Sequence, residues 1–342
     1  VGALTGRAKP VLVVFAGETL FGSFFDARRR RRLSRLYRWR RTGATSLTPP
    51  VRALLARADA LLTTWDSPRF DASLVKAAPR LRLVAHCGGE VKARFARSLF
   101  DRLTITNAAG PMAPYVAELA VAFLLHAARN LDGHREALRR PANDVYARVH
   151  RSGAGSETVR GRTVGLVGFG RIGQAVAALL RPFGARLLVS DPHASRAVVR
   201  RLGATLAPLR RVLAASPFLI LATALTDDTR GMLDGPALAR LPDGATVINV
   251  ARGGLVDLGA LTREVRRGRL RCALDVTDPL EPLPARHPLR RARGALLTPH
   301  VGSAQREVRG QMADVVLDDL ERFAAGRPVR HRVTAGMLER MT

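Results

Sequence analysis

Three side chains of complementary chemistry each follow a short apolar run in the last third of the chain. Arg252 comes after residues 246–250, within Asn249-Val-Ala-Arg-Gly-Gly254. Glu281 comes just after residues 272–276, and His300 follows residues 295–298 in Thr298-Pro-His300. Reduction of a 2-keto acid has three needs that such a set meets. A cation must hold the carboxylate and polarise the carbonyl, and the planar fork of arginine pairs bidentately with carboxylates. An acid must protonate the developing alkoxide, and histidine titrates near the working pH. A carboxylate beside the imidazole favours its charged form. Taken singly, each residue also has a bland explanation: an arginine among many is a solvated charge, and a histidine after a strand is a turn residue. Ligands of open α/β sheets bind beyond the carboxyl ends of strands, so three such loops can converge there.

A glycine pattern precedes this set. Thr163-Val-Gly-Leu-Val-Gly-Phe-Gly-Arg-Ile-Gly173 places Gly168, Gly170 and Gly173 as G-x-G-x-x-G, directly after a strand-like run and before a helix-like one. Gly168 permits the tight turn, Gly170 lets the backbone approach a pyrophosphate, and Gly173 allows the helix to pack closely. The N–H groups near Arg171 and Ile172 then face the phosphates. A plain strand-to-helix turn is the alternative. Eighteen residues after Gly173, Asp191 ends an apolar run, where an acid accepts hydrogen bonds from the adenosine ribose. That acid also repels a 2′-phosphate, so the expected cofactor is NAD(H); Arg196 nearby tempers the preference over NADP(H).

The elements that must position these groups read as alternating strands and helices. Strands are expected at residues 11–16, 61–64, 81–87 and 103–106, then at 163–167, 186–190, 218–221, 246–250, 272–276 and 295–298. Between the two series lies a helix over residues 113–129, with Val116, Leu119, Ala120, Phe123 and Ala127 at helical spacing. A second helix carries Val308, Met312, Val315, Val316, Leu320 and Phe323, with Gly326 and Pro328 as its stop signal. The alternation predicts two doubly wound parallel α/β domains. Residues 141–161 read as a surface connection.

Composition narrows the class. Fifty-six basic against 28 acidic residues give a formal charge of +28, and only Lys9, Lys76 and Lys92 are lysines. The densest run, residues 28–41, encloses Tyr37 and Trp39 but matches no nucleic-acid motif, so solvated charge is preferred over nucleic-acid binding. The field can still steer an anionic substrate. Residues 1–10 lack signal-peptide order, no apolar run is long enough for a membrane span, and no metal site is expected. The two cysteines, Cys87 and Cys272, sit in apolar runs, which excludes a disulfide scaffold and fits a reducing cytoplasm.

With these motifs in place, the sequence resembles the D-isomer-specific 2-hydroxyacid dehydrogenases. Gly168-Phe-Gly-Arg-Ile-Gly173, Leu225-Thr-Asp-Asp-Thr-Arg-Gly-Met232, Ile248-Asn-Val-Ala-Arg-Gly-Gly-Leu-Val-Asp257, Ala273-Leu-Asp-Val276 and Thr298-Pro-His-Val-Gly302 occur in family order. The resemblance implies a Rossmann NAD-binding domain over residues 108–300 and a flavodoxin-like substrate domain split between residues 1–107 and 301–334. It implies that Arg252 binds substrate, that His300 is the acid/base paired with Glu281, that Asp275 orients the nicotinamide carboxamide, and that Thr229 and Ala251 border the cofactor. It further implies a homodimer and a substrate carboxylate held by backbone amides of Gly88, Gly89 and Glu90, with Lys92 adding charge; a bland tight turn is the other reading of those glycines. An NAD(H)-sensing scaffold of the corepressor kind is the alternative function. Three departures stand out. Asp275 to Glu281 spans six residues where the family has five, so Leu280 must bulge, or Asp278 takes the place of Glu281. The family's His-Ala-Pro reads Ala222-Thr-Ala224, and the substrate loop ends Glu90-Val-Lys92 where an Asp-rich segment is usual.

Overall fold

The computed structural model describes residues 8–139, 149–151, 155 and 157–341; most of the expected connection at 141–161 and of residues 1–10 lies outside them. Its contacts divide the chain into two compact units, Val1–Met112 with Ala304–Thr342, and Ala113–Ser303.

The first unit is built on a sheet ordered β13-β5-β4-β3-β1-β2. Its strands are β1 (Val11–Phe15), β2 (Arg38–Thr42), β3 (Ala60–Thr63), β4 (Leu83–His86), β5 (Thr104–Asn107) and β13 (Arg332–Val333). β3 and β4 are buried along their whole length, as continuous apolar runs covered on both faces must be. The order β2-β1-β3-β4-β5 is that of a flavodoxin-like sheet. β13 is the exception to the expected all-parallel sheet: it pairs antiparallel with β5, Arg332 opposite Thr106. Buried Asp319 fixes that return by accepting from the N–H groups of Arg330 (2.7 Å) and His331 (3.3 Å).

The arginine-rich run divides between two elements. The helix Ala27–Leu36 takes the first nine residues of the run, and Asp26 caps it, accepting from the Arg29 N–H at 2.8 Å. Arg29 then pairs with Asp314 at 2.7 Å, and Arg32 with Glu321 at 2.6 Å, both on the long helix Arg306–Ala324. The rest of the run forms β2, an edge strand that the absence of apolar alternation hid. The long helix stops where Gly326 turns left-handed at φ 68°.

The second unit carries a seven-stranded sheet ordered β12-β11-β10-β9-β6-β7-β8. The strands are β6 (Thr163–Val167), β7 (Arg186–Ser190), β8 (Ala204–Leu206), β9 (Phe218–Leu221), β10 (Thr246–Asn249), β11 (Arg271–Leu274) and β12 (Ala295–Leu297). Every pairing is parallel. The strand order reverses between β6 and β9, the switch point of a Rossmann sheet, where loops on the carboxyl side part to admit a ligand. The helices Met112–Ala128 and Arg171–Leu180 bury Val116, Ala120 and Phe123, and Val176, Ala177 and Leu180, in one core with Val164, Leu166 and Ile220. β8, only three residues long, escaped the sequence reading.

Candidate active site

At the switch point, Gly168 adopts φ 93°, a left-handed conformation glycine adopts freely. A Cβ there would also lie 2.5 Å from the backbone nitrogen of Thr223 in the loop after β9. Gly173 lets the helix come close to the end of β6: a Cβ would sit 2.3 Å from the Gly168 carbonyl oxygen and 3.6 Å from the Leu166 side chain. Gly170 is the N-cap of the helix Arg171–Leu180, with no side-chain cap, and a Cβ added to it would meet nothing within 4 Å. The first-turn N–H groups of Arg171, Ile172 and Gly173 thus open onto unfilled space, which fits a pyrophosphate. The Asp191 carboxylate accepts from the Phe169 N–H at 2.6 Å and the His193 N–H at 2.8 Å, which ties the end of β7 to the glycine turn. Its half-buried oxygens keep lone pairs for ribose hydroxyls. Thr229 closes its own turn, accepting from Thr226 N–H at 2.8 Å and donating to the Ala224 carbonyl at 2.7 Å.

The adjacent strands β10, β11 and β12 send out the loops that hold Arg252, Glu281 and His300. Arg252 follows β10, and two hydrogen bonds from Asn249 shape its turn: Nδ2 donates to the Arg252 carbonyl (2.8 Å) and Oδ1 accepts from the N–H of buried Ala251 (3.0 Å). Asn249 was not singled out from sequence, although it opens the Asn-Val-Ala-Arg-Gly-Gly segment. Gly253 next to it is required by the neighbouring loop, since a Cβ would lie 2.1 Å from the Thr277 carbonyl carbon.

His300 has φ 55°, unusual for a residue with a side chain. Its N–H donates to the Asp275 carbonyl at 2.9 Å. The Asp275 carboxylate, 2% exposed, accepts from the Val301 N–H (2.8 Å), the Gly302 N–H (2.9 Å) and the Thr298 hydroxyl. Asp275 therefore fixes the turn that bears His300, a task not foreseen for it. At the ring, His300 Nδ1 and Glu281 Oε1 form a short hydrogen bond. The extra residue before Glu281 is absorbed in a closed turn: Thr277 Oγ1 donates to the Leu280 carbonyl at 2.6 Å, and the Leu280 side chain stands 55% exposed. Burial pushes the Glu281 carboxyl up, but the hydrogen bond and charge of His300, the Thr277 N–H and the charge of Arg252 together hold it below its ordinary value. With Nδ1 engaged, Nε2 is the ring nitrogen left for a substrate.

In the first unit the loop after β4 is tied back by its carbonyls. Gly88 O accepts from the Ala108 N–H at 2.9 Å and Gly89 O from Asn107 Nδ2 at 2.8 Å. The Glu90 carboxylate turns to the Ala93 N–H at 2.6 Å. Among the described residues, no acceptor takes the N–H groups of Gly88, Gly89 or Glu90. A loop with engaged carbonyls and open amides suits an anion. Both cysteines are buried and unpaired. No helix among the described residues is long and apolar enough to cross a membrane.

Comparison with known proteins bears on all of this. The family description "D-isomer specific 2-hydroxyacid dehydrogenase, NAD binding domain" matches residues 121–302. The D-3-phosphoglycerate dehydrogenase of Mycobacterium tuberculosis is 35% identical over 295 residues, which cover 83% of this chain and 52% of that protein. The chain thus spans about half the length of these curated relatives. The glyoxylate reductase of Aeropyrum pernix is 33% identical over 293 residues, 82% of this chain and 84% of that one. Among solved structures, an NADPH-dependent glyoxylate/hydroxypyruvate reductase from Sinorhizobium meliloti superposes with a TM-score of 0.76 at 26% identity, covering 96% of this chain and 98% of its own.

Proposed function

This chain belongs to the D-isomer-specific 2-hydroxyacid dehydrogenase family, and from that premise we propose that it interconverts a small 2-keto acid and its 2-hydroxy acid with NAD(H). The observation that carries the proposal is the paired His300 and Glu281 on neighbouring loops of the sheet whose switch point bears the glycine turn.

When bound, NADH supplies the hydride to the carbonyl carbon. The amides of Arg171, Ile172 and Gly173 hold its pyrophosphate and Asp191 its ribose, while Thr229, Ala251 and Asp275 border it. Arg252 binds the substrate and polarises its carbonyl; the amides of Gly88, Gly89 and Glu90 take its carboxylate, and Lys92 adds charge. His300 donates the proton from Nε2 to the developing alkoxide, and Glu281 keeps the imidazole oriented and compensates its charge. In the reverse direction His300 Nε2 accepts the hydroxyl proton. A cofactor-sensing scaffold has no need of an acid–base pair, so the His300–Glu281 contact favours the enzyme. A homodimer in the cytoplasm completes the proposal, and the buried, unpaired cysteines suit that reducing compartment.

NADH oxidation across a panel of 2-keto acids, with the wild type beside His300→Asn, is the test. Asparagine tolerates the left-handed backbone at this position, so the variant isolates chemistry from conformation. Turnover is expected to fall about 10²–10⁴-fold while NADH binding is retained. Near-normal turnover in the variant would overturn the assignment of His300.

A further inference from the structure

The first unit holds a cation and an indole beside the substrate loop that the proposed chemistry does not use. Trp65, half-buried just after β3, sits against Gly88: the position a Gly88 Cβ would take is 2.9 Å from the Trp65 indole nitrogen and 2.2 Å from Nε2 of His86. His86, 1% exposed, is anchored through Nδ1 on the Thr63 hydroxyl at 2.9 Å. Burial, helped by the charge of Arg94, pushes its pKa down to about 3, so it stays neutral at working pH. Only a glycine at 88 leaves room for both rings.

Arg309 lies over the Trp65 ring, its guanidinium carbon 5.2 Å from the centroid, and 5.8 Å from the ring of Phe24. One terminal nitrogen donates to Ser23 Oγ at 2.7 Å. Its Nε is shielded from solvent and has no hydrogen-bond partner among the described residues. Two arginines that reach this helix from Ala27–Leu36 are neutralised, Arg29 by Asp26 and Asp314, Arg32 by Asp318 and Glu321. Arg309 has no carboxylate partner among the described residues. Burial and the charge of neighbouring Arg306 both weigh against its protonated form. The carboxylates on the adjoining loops are engaged elsewhere, Asp66 by the Gly17 N–H at 2.7 Å and Glu90 by the Ala93 N–H at 2.6 Å. A half-buried guanidinium over an indole without a counter-charge is costly unless an anion completes it.

We propose that Trp65 and Arg309 form a specificity site for a second anionic group, so that the preferred substrate is a 2-keto acid bearing a further carboxylate or phosphate beyond the one at its reacting end. The substrate chemistry rests on the oxidoreductase reading; the anion site does not. The loop amides of Gly88, Gly89 and Glu90 take one charge, and the Arg309 guanidinium, packed over Trp65, takes the other. Neutral His86 packs behind the loop and fixes Gly88.

Two measurements separate these levels. The chain has two tryptophans, so Trp39→Phe leaves Trp65 as the lone indole reporter. Titration of that protein with malonate or inorganic phosphate is expected to change Trp65 emission saturably. Adding Arg309→Leu should weaken the response by about 10- to 100-fold, the loss of one charge-assisted contact. An absent response, or one that survives Arg309→Leu, overturns the site. In NADH oxidation, Arg309→Leu should lower kcat/KM for oxaloacetate or 3-phosphohydroxypyruvate about 10- to 100-fold more than for pyruvate or glyoxylate, chiefly through KM. An equal loss on both groups makes Arg309 merely structural and overturns the proposal. If the wild type reduces no keto acid at all, the oxidoreductase reading fails, while the titration still judges the anion site. An unchanged denaturant melt of each variant excludes misfolding of the first unit.

Discussion

At the scale of single residues, the paired ring and carboxylate are what pH should reveal. Glu281 is held below its ordinary value, so its carboxylate stays ionised down through the usual carboxylate range. That charge is lost as pH falls through the depressed value. In wild type, kcat/KM should therefore drop on the acid side through that value. Glu281→Gln should show a lower plateau without this limb, read from pH–rate profiles of NADH oxidation. An unchanged limb in Glu281→Gln, with a shifted one in Asp278→Asn, would transfer the partnership to Asp278. The types of Arg252 and His300, and their places after strands, were legible because catalytic chemistry restricts the choice of side chain. The left-handed backbone of His300 was not, since it arises from three donors meeting Asp275 across the turn. A left-handed residue with a side chain costs roughly 1–2 kcal/mol, which those bonds must offset.

At the scale of elements, neighbouring loops hold each other in register. Gly253, after β10, touches the backbone of Thr277 after β11, and so sets where Glu281 can go. Gly253→Ala forces that backbone to move. It should lower stability by about 1–3 kcal/mol, as overpacking does, and cut turnover more than NADH binding. Denaturant melts and cofactor titration of the variant check both parts; unchanged turnover would mean that Glu281 finds His300 by another route. Apart from β8, the strands of the second unit were legible from apolar runs, and β6, β7 and β9 to the residue. β2 was not, because an edge strand with one neighbour can carry Arg38, Arg40 and Arg41 where a central one cannot. β13 was missed for another reason: two residues give no period, and its pairing with β5 depends on Asp319, remote in sequence from β5.

At the scale of the whole molecule, the charge of +28 acts on whatever approaches. Part of the arginine excess is absorbed in packing, as Arg29 and Arg32 show against the long helix. The remainder should raise the local concentration of an anionic keto acid. Raising ionic strength from about 0.01 to about 0.15 M shortens the screening length from about 30 to about 8 Å. Over that range kcat/KM should fall several-fold while kcat stays level. Steady-state rates in a salt series decide this, and a flat kcat/KM would remove the steering role. The excess was plain in composition, but its division between structure and field required the partners of each arginine. The antiparallel return of β13 also has a consequence for biosynthesis. The second unit is one unbroken stretch and can fold once residue 303 has left the ribosome. The first unit, although its strands are made earlier, keeps the edge of β5 bare until Arg332 and Val333 emerge. During that interval an unpaired edge and the apolar faces awaiting Arg306–Ala324 stand open to mispairing.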